Sequence, residues 1–224
     1  MSKVVIFGSG GWAQYLHYCL THDSGHEVVG FTVDAEYLKE KTLLGLPVVA
    51  FEEVGTVFPP PEYQMLVALS YQKLNKLREA KFNRAKSLGY ELISYVSSAA
   101  HVVPDLALGE NCLVLENSVV QPFAKIGHDV TICSSAVIGH HTIIQDHAFI
   151  SPGAVVLGVV TIGSHCLIGA NATIVQGVTL EKDCLIGMGA SLDQNAKAGS
   201  VYITPPAELM PHSSEELLPF LTWS

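Results

Sequence analysis

The chain is short of positive charge. It carries 12 Lys and Arg against 21 Asp and Glu, for a net charge of −9. Nucleic acids and anionic membranes are held by clustered Lys and Arg, so neither is an expected partner. A small anion stays open, because backbone N–H groups bind phosphate without net positive charge. No apolar run reaches about 18 residues, and no membrane span is expected. The opening MSKVVIFGSGG lacks a signal peptide's long apolar region and small-residue cleavage site. The expectation is a cytoplasmic protein. Cysteine is sparse, at positions 19, 112, 133, 166 and 184, and no C-x-x-C pair occurs. That leaves zinc and redox motifs unsupported and points to reduced thiols.

What is present divides in two. From residue 1 to about 95, short apolar runs alternate with helical spacing. Val4–Phe7 is a buried strand, GSGG follows, and WAQYLHYCLTH has a helix period. Val28–Phe31 and Met65–Leu69 are further strands, a Lys- and Arg-rich helix spans roughly 72–88, and Leu92-Ile93 ends the series. The stretch 55–63, GTVFPPPEY, reads as a loop because three prolines cannot join a central strand. Such alternation predicts a parallel sheet flanked by helices.

Past residue 100 the period changes. Counting by sixes from Val102 to Leu192 gives a branched aliphatic at every step. The residue four later in each hexad is small or β-branched from Cys112 to Ala196, with only Leu106, in the opening hexad, too large. This is the hexapeptide repeat of a parallel β-helix, three hexads to a triangular coil. Cys112, Cys166 and Cys184 fall in the small-residue register and are packing groups.

The segment VIGHHTII places His140 and His141 two and three residues after an interior aliphatic, at an outward corner. The coils on either side put Pro122 and Phe123, then Gly158 and Val159, at the same place. Gly158 beside His140 offers space and a bare N–H, which suits a thioester carbonyl needing a base and an oxyanion donor. The plainer reading is a pair of solvated corner residues. A second column, Asp129, His147, His165 and Asp183, lines another corner, and His128 stacks with Asp146. Stacked acids and imidazoles most simply form a solvated, mutually hydrogen-bonded edge, and a metal site is the sharper alternative.

In the first half, Gly8, Gly10 and Ala13 fit G-x-G-x-x-G/A, with Asp34 at the end of the second strand where an acid would meet ribose. Only half a dinucleotide fold is available. A mononucleotide phosphate on the loop and helix N-terminus is the matching expectation, against a turn that merely needs glycine.

The two halves together resemble the hexapeptide sugar acetyltransferases of the sialic-acid O-acetyltransferase and bacillosamine N-acetyltransferase family. Matching segments are VVIFGSGG, VGFTVD, ALSYQKLNKLREA, residues 137–174 and the closing YITPPAELM. The resemblance implies an α/β Rossmann-like nucleotide-sugar domain at 1–97, an all-β left-handed parallel β-helix acyltransferase domain at 98–204, and a tail at 205–224. It implies acetyl-CoA as co-substrate, no metal, a nucleotide-linked amino sugar as partner, and a homotrimer with acetyl-CoA between subunits. The family's catalytic histidine falls on His140, and its acidic neighbour on His141. The acetyl-CoA contacts fall on Phe149, Gly158, Ala170 and Met188. The sugar contacts fall on Gly8, Gly10, Gly11, Trp12, Asp34 and Ser70. Several positions depart from the family. Trp12 and Phe149 stand where it has histidines, Ala35 replaces a second acid, and the usual G-x-P-A-K ending reads Thr204-Pro205-Pro206-Ala207-Glu208. The implied reaction is N-acetylation of the amino sugar, with direct attack and a histidine general base. O-acetylation of a sialic-acid-like or glycan hydroxyl is the alternative, and a metal-dependent hydratase or non-catalytic scaffold on the Asp129 edge comes third. In the tail, Leu217, Leu218, Phe220, Leu221 and Trp223 suggest docking on a neighbouring surface.

Overall fold

The computed structural model describes residues 2–218. The first half is one five-stranded sheet with strands β1 (Lys3–Phe7), β2 (Glu27–Val33), β3 (Thr42–Leu43), β4 (Leu46–Ala50) and β5 (Gln64–Val67), in the order β3-β4-β2-β1-β5. All its pairings are parallel except β3 with β4. Val4 to Phe7 are all buried because both faces of the sheet are covered, as a parallel sheet requires. Helix α1 (Gly11–Asp23) covers one face with Ala13, Leu16, Cys19 and Leu20. Phe51, Phe58, Phe82 and Ala85 cover the other, the last two from helix α3 (Lys76–Ser87).

Two local expectations change, and a hairpin joins the sheet. Strands β3 and β4 form a hairpin whose turn, Leu44-Gly45, has both residues at positive φ. The stretch read as a loop from 55 opens inside a one-turn helix, α2 (Val54–Val57). Leu92 makes only an isolated parallel bridge to Met65 rather than a strand.

The second half is a left-handed parallel β-helix. Its two-residue strands stack into three faces. The first runs from Tyr95–Val96 to Val201–Tyr202 in seven strands, the second from His101–Val102 to Ser191–Leu192 in six, and the third from Ala107–Leu108 to Thr179–Leu180 in five. Partners such as Val119 and Val137 are one coil apart. The large-aliphatic series fills the interior, and the small register, from Cys112 through Ala196, is buried throughout. Each fully buried aliphatic contributes about 1.5–3 kcal/mol. All five cysteines are buried and unpaired.

The corners explain the outward residues. From Asn111 to Gly189, the third residue after every interior aliphatic has positive φ, mostly near +60°, with Gly153, Gly177 and Gly189 at some turns and Asn, Asp, His, Ser, Phe or Val at others. Gly, Asn and Asp take this left-handed region readily, while β-branched residues do not. No helix among the described residues is long and apolar enough to cross a membrane. In the tail, Ser214–Leu217 forms one helical turn, α4, opened by a capping box of Ser213 and Glu216. Leu218 is exposed, and Phe220, Leu221 and Trp223 lie outside the described residues.

Candidate functional site

His140 and His141 occupy the corner between the second and third faces. Both are exposed. The His140 N–H donates to Gln121 Oε1 (2.9 Å), which fixes the corner from the coil below. His140 Nδ1 lies 3.1 Å from His141 Nδ1. With one proton between them, His140 donating through Nδ1 leaves its Nε2 as a free lone pair. That ring lies over Gly158: a Cβ there would sit 2.7 Å from His140 Nε2. The space expected beside Gly158 is therefore filled by the imidazole itself. The corner N–H groups of His140 and Ser164 are each capped by a glutamine nineteen residues earlier, Gln121 and Gln145. Gly158 has no such cap, because the residue nineteen earlier is Gly139. Above and below His141, the column is Phe123 and Val159, at φ 68° and 62°. They are 69% and 50% exposed, and the Phe123 ring lies 4.6 Å from that of His141.

The corner between the third and first faces differs from its expectation. The Asp129 column is not a solvated edge. Asp129 is completely buried and His147 nearly so, because α3 packs on this corner. Arg78 of α3, only 1% exposed, puts Nε 2.9 Å from Asp129 Oδ1, an ion pair too bent for a hydrogen bond. It also donates to Thr131 Oγ1 (3.0 Å) and to the Asp129 carbonyl (2.6 Å). Asn111 donates to Asp129 (2.7 Å) and accepts from the Val67 N–H (2.8 Å), which ties the edge strand β5 to the β-helix. Lys76 pairs with Asp183 at 2.8 Å. The mutual hydrogen bonding of the column does hold, with His147 Nδ1 2.9 Å from Asp129 Oδ2. Arg78 and Asn111 were missed in sequence. The available signal was Arg78, Phe82 and Ala85 at helical spacing on an otherwise polar helix.

A groove of about 850 Å³ runs along the upper first face and its corner with the second. Phe149, Leu167, Leu185, Ala170 and Met188 line it from the β-helix, Trp12 and Ser70 from the α/β half, and Ile203 to Pro206 from the closing segment. Phe149 and Trp12 face each other at 6.5 Å between ring centroids, and the Trp12 indole N–H has no partner among the described residues. The groove thus gathers Phe149, Ala170, Met188, Trp12 and Ser70. Gly158 belongs to the His140 corner instead.

The glycine loop leads into the groove through Trp12. Gly8 has φ 125°, and a Cβ there would lie 2.9 Å from the Ala68 carbonyl, so only glycine fits. Gly10 and Gly11 are exposed at the start of α1, with open space around them and no side-chain cap. Asp34 is not free. Its carboxylate is 2.5 Å from Lys81 Nζ, and Lys81 lies over the rings of Phe7 and Phe51.

With this geometry in hand, comparison with known proteins is specific for the second half. Residues 105–140 and 141–176 match the model of the bacterial transferase hexapeptide (six repeats), and residues 159–194 that of the hexapeptide repeat of succinyl-transferase. The matched residues, 105–194, all lie within the β-helix. No curated protein sequence matches the chain closely enough to count as a relative. Among solved structures, perosamine N-acetyltransferase from Caulobacter crescentus, a histidine-to-asparagine mutant in complex with CoA and GDP-perosamine, matches with a TM-score of 0.83 at 24% identity, over 95% of this chain and 98% of that one. The acetyltransferase domain of PglB from Neisseria gonorrhoeae, in complex with acetyl coenzyme A, matches with a TM-score of 0.78 at 24% identity, over 89% and 94%. WeeI from Acinetobacter baumannii matches with a TM-score of 0.75 at 19% identity, over 94% and 100%. The likeness includes the α/β half as well as the hexapeptide helix, so the whole two-part fold is shared.

Proposed function

We propose that this protein is an acetyl-CoA-dependent N-acetyltransferase acting on a nucleotide-linked amino sugar. The observation that carries the reading is the His140–His141 pair on an exposed hexapeptide corner, with Nδ1 engaged and Nε2 free over Gly158. It agrees with neighbours described as binding CoA, acetyl coenzyme A or GDP-perosamine.

In this reading His140 Nε2 takes the proton from the sugar amine as its nitrogen attacks. Imidazole is the side chain suited to such a transfer near neutral pH. His141 stands where an acid would hold the base. As a neutral acceptor at Nδ1 it fixes the tautomer and orientation of His140 without adding negative charge. An amine, the better nucleophile, is therefore favoured over a hydroxyl. The uncapped Gly158 N–H is the donor for the developing oxyanion. Acetyl-CoA supplies an activated acetyl thioester, and the apolar groove lined by Phe149, Ala170 and Met188, of about 850 Å³, is suited to its arm. The new N–C bond forms first and gives the tetrahedral oxyanion; its collapse breaks the C–S bond, and the sulfur leaves as the thiol by taking the proton held on His140.

The first domain, 1–97, would hold the nucleotide sugar and the second, 98–204, the chemistry, with 205–224 as a tail. Gly8, Gly10 and Gly11 leave the start of α1 open to a phosphate. Trp12 brings an unpartnered N–H, and Ser70 its hydroxyl, to the sugar side of the groove. Asp34 would meet the nucleotide only together with Lys81. In one chain His140 and the groove lie at different corners of the prism, so a complete site needs a second copy. The exposed Phe123 and Val159 beside His141 are suited to that contact, in line with a homotrimer. Five free, buried thiols fit a cytoplasmic setting.

The test is thiol release from acetyl-CoA against a panel of nucleotide-linked amino sugars and their hydroxyl counterparts. Release with an amino sugar alone is expected. His140→Ala should lower that rate by about 10²–10⁴-fold, the usual contribution of a positioned general base. Release with hydroxyl acceptors alone would make the protein an O-acetyltransferase. Near-normal turnover in the variant would remove His140 from the mechanism.

A further inference from the structure

We propose that Glu79, His147 and His165 form a divalent-metal site of the zinc type that clamps α3 onto the β-helix. It stands apart from the His140 corner and does not depend on the acetyl-transfer reading.

The argument starts from hydrogen positions. Asp129 is buried against Arg78 and can only accept, so His147 Nδ1 must carry the proton of their 2.9 Å contact. With His147 neutral, its Nε2 is then a lone pair. It lies 3.7 Å from Glu79 Oε1, another acceptor. On the other carboxylate oxygen, His165 Nε2 approaches Glu79 Oε2 at 3.1 Å. A proton on His165 satisfies that contact and leaves the first as acceptor against acceptor. With both imidazoles neutral, that convergence of lone pairs is where a cation would be held.

The geometry suits an ion. One ligand atom from each of the three residues lies within 4.8 Å of the other two. Around a tetrahedral ion with bonds of about 2.0–2.1 Å, ligand atoms are roughly 3.3–3.4 Å apart, so small ring rotations close the site. His147 and His165 are stacked at 5.0 Å between centroids, on corners with fixed left-handed backbone. Glu79 comes from a twelve-residue helix. Asp129 behind His147, itself held by Arg78 and Asn111, is the outer partner that metal-binding histidines characteristically have. Two imidazoles and one carboxylate with a position left for water favour zinc over magnesium or calcium, which take oxygen ligands. Binding would expel the His165 Nε2 proton to solvent.

The test uses the full chain stripped with a chelator and titrated with Co²⁺, then Zn²⁺. One equivalent of Co²⁺ should give the visible band of a four-coordinate site, and Zn²⁺ should bleach it. Glu79→Gln and His165→Ala should each lose the band, and zinc should raise the melting temperature of the parent but not of E79Q. Asp129→Asn, where it folds, should weaken binding by about 10–100-fold. His140→Ala, which alters the other histidine pair, should titrate like the parent. No band with Co²⁺ in excess, or a band that survives both E79Q and H165A, would overturn the proposal.

Discussion

Two corners of the same prism carry histidines in the same backbone conformation and have opposite fates. His141 and His147 sit one hexad apart, on successive corners of one coil, with φ of 58° and 61°. Around His141 the corner is bare, with Phe123 and Val159 exposed. Around His147, α3 covers the corner, and Asp129 beneath it is completely buried. The repeat dictates where an imidazole points. What packs on that corner decides whether it is a free base or a structural member.

The sharpest way to break the comparison is to cut the covered corner. Arg78→Ala leaves the Asp129 carboxylate buried without its partner, and this should cost about 3–5 kcal/mol, read from urea denaturation. His140→Ala, on the bare corner, should change stability by less than about 0.5 kcal/mol while abolishing most of the proposed activity. Equal losses of stability in the two variants would mean that the corners are not distinct.

A smaller change sharpens the bare corner. Gly158 does not have positive φ, so alanine suits its backbone, but the new Cβ would lie 2.7 Å from His140 Nε2. Gly158→Ala should displace the ring and lower kcat/KM by about 10²-fold, with the melting temperature nearly unchanged. Full activity would show that the ring position is not used.

The smallest effect concerns the junction at α1. Asp23 accepts hydrogen bonds from the Ser98 N–H (2.9 Å), Tyr95 (2.7 Å) and Ser97 (2.9 Å). Hydrogen bonds from Ser98, then Tyr95, hold its carboxyl well below the usual carboxylate range. A carboxyl depressed on folding adds stability above its unfolded pKa of about 3.9, and that stability is lost as pH falls. Asp23→Asn should therefore be less stable than the parent near neutral pH. Its urea midpoint should converge on the parent's from about pH 5 downward. A constant gap across that range would remove Asp23 from the pH dependence.

How much of this was legible follows from the range of each interaction. The β-helix was, because every interior aliphatic and every small corner residue answers to neighbours fixed by the period of six. His140 and Gly158 could be paired for the same reason, being one coil apart. The cover on Asp129 was not legible. Arg78 lies 51 residues earlier, on a helix whose Lys and Arg content suggests solvent, and nothing local joins the two. The β3–β4 hairpin escaped because Leu44-Gly45 lacks the usual Asn or Asp, and Pro47 argued against a strand. Asp34 looked like a ribose ligand because its pairing with Lys81 is likewise tertiary.

The buried thiols have a practical consequence. Burial pushes Cys112, Cys133 and Cys166 up to about 12, so these three hold almost no thiolate at neutral pH, and thiolate is the form that reacts. All five side chains are also buried, three of them completely and Cys19 and Cys133 nearly so. The folded protein is thus nearly silent toward a chromogenic thiol reagent. In the thiol-release assay proposed above, colour would report freed coenzyme rather than the protein's own thiols, and a slow rise without acceptor would report the fraction of chains that has opened.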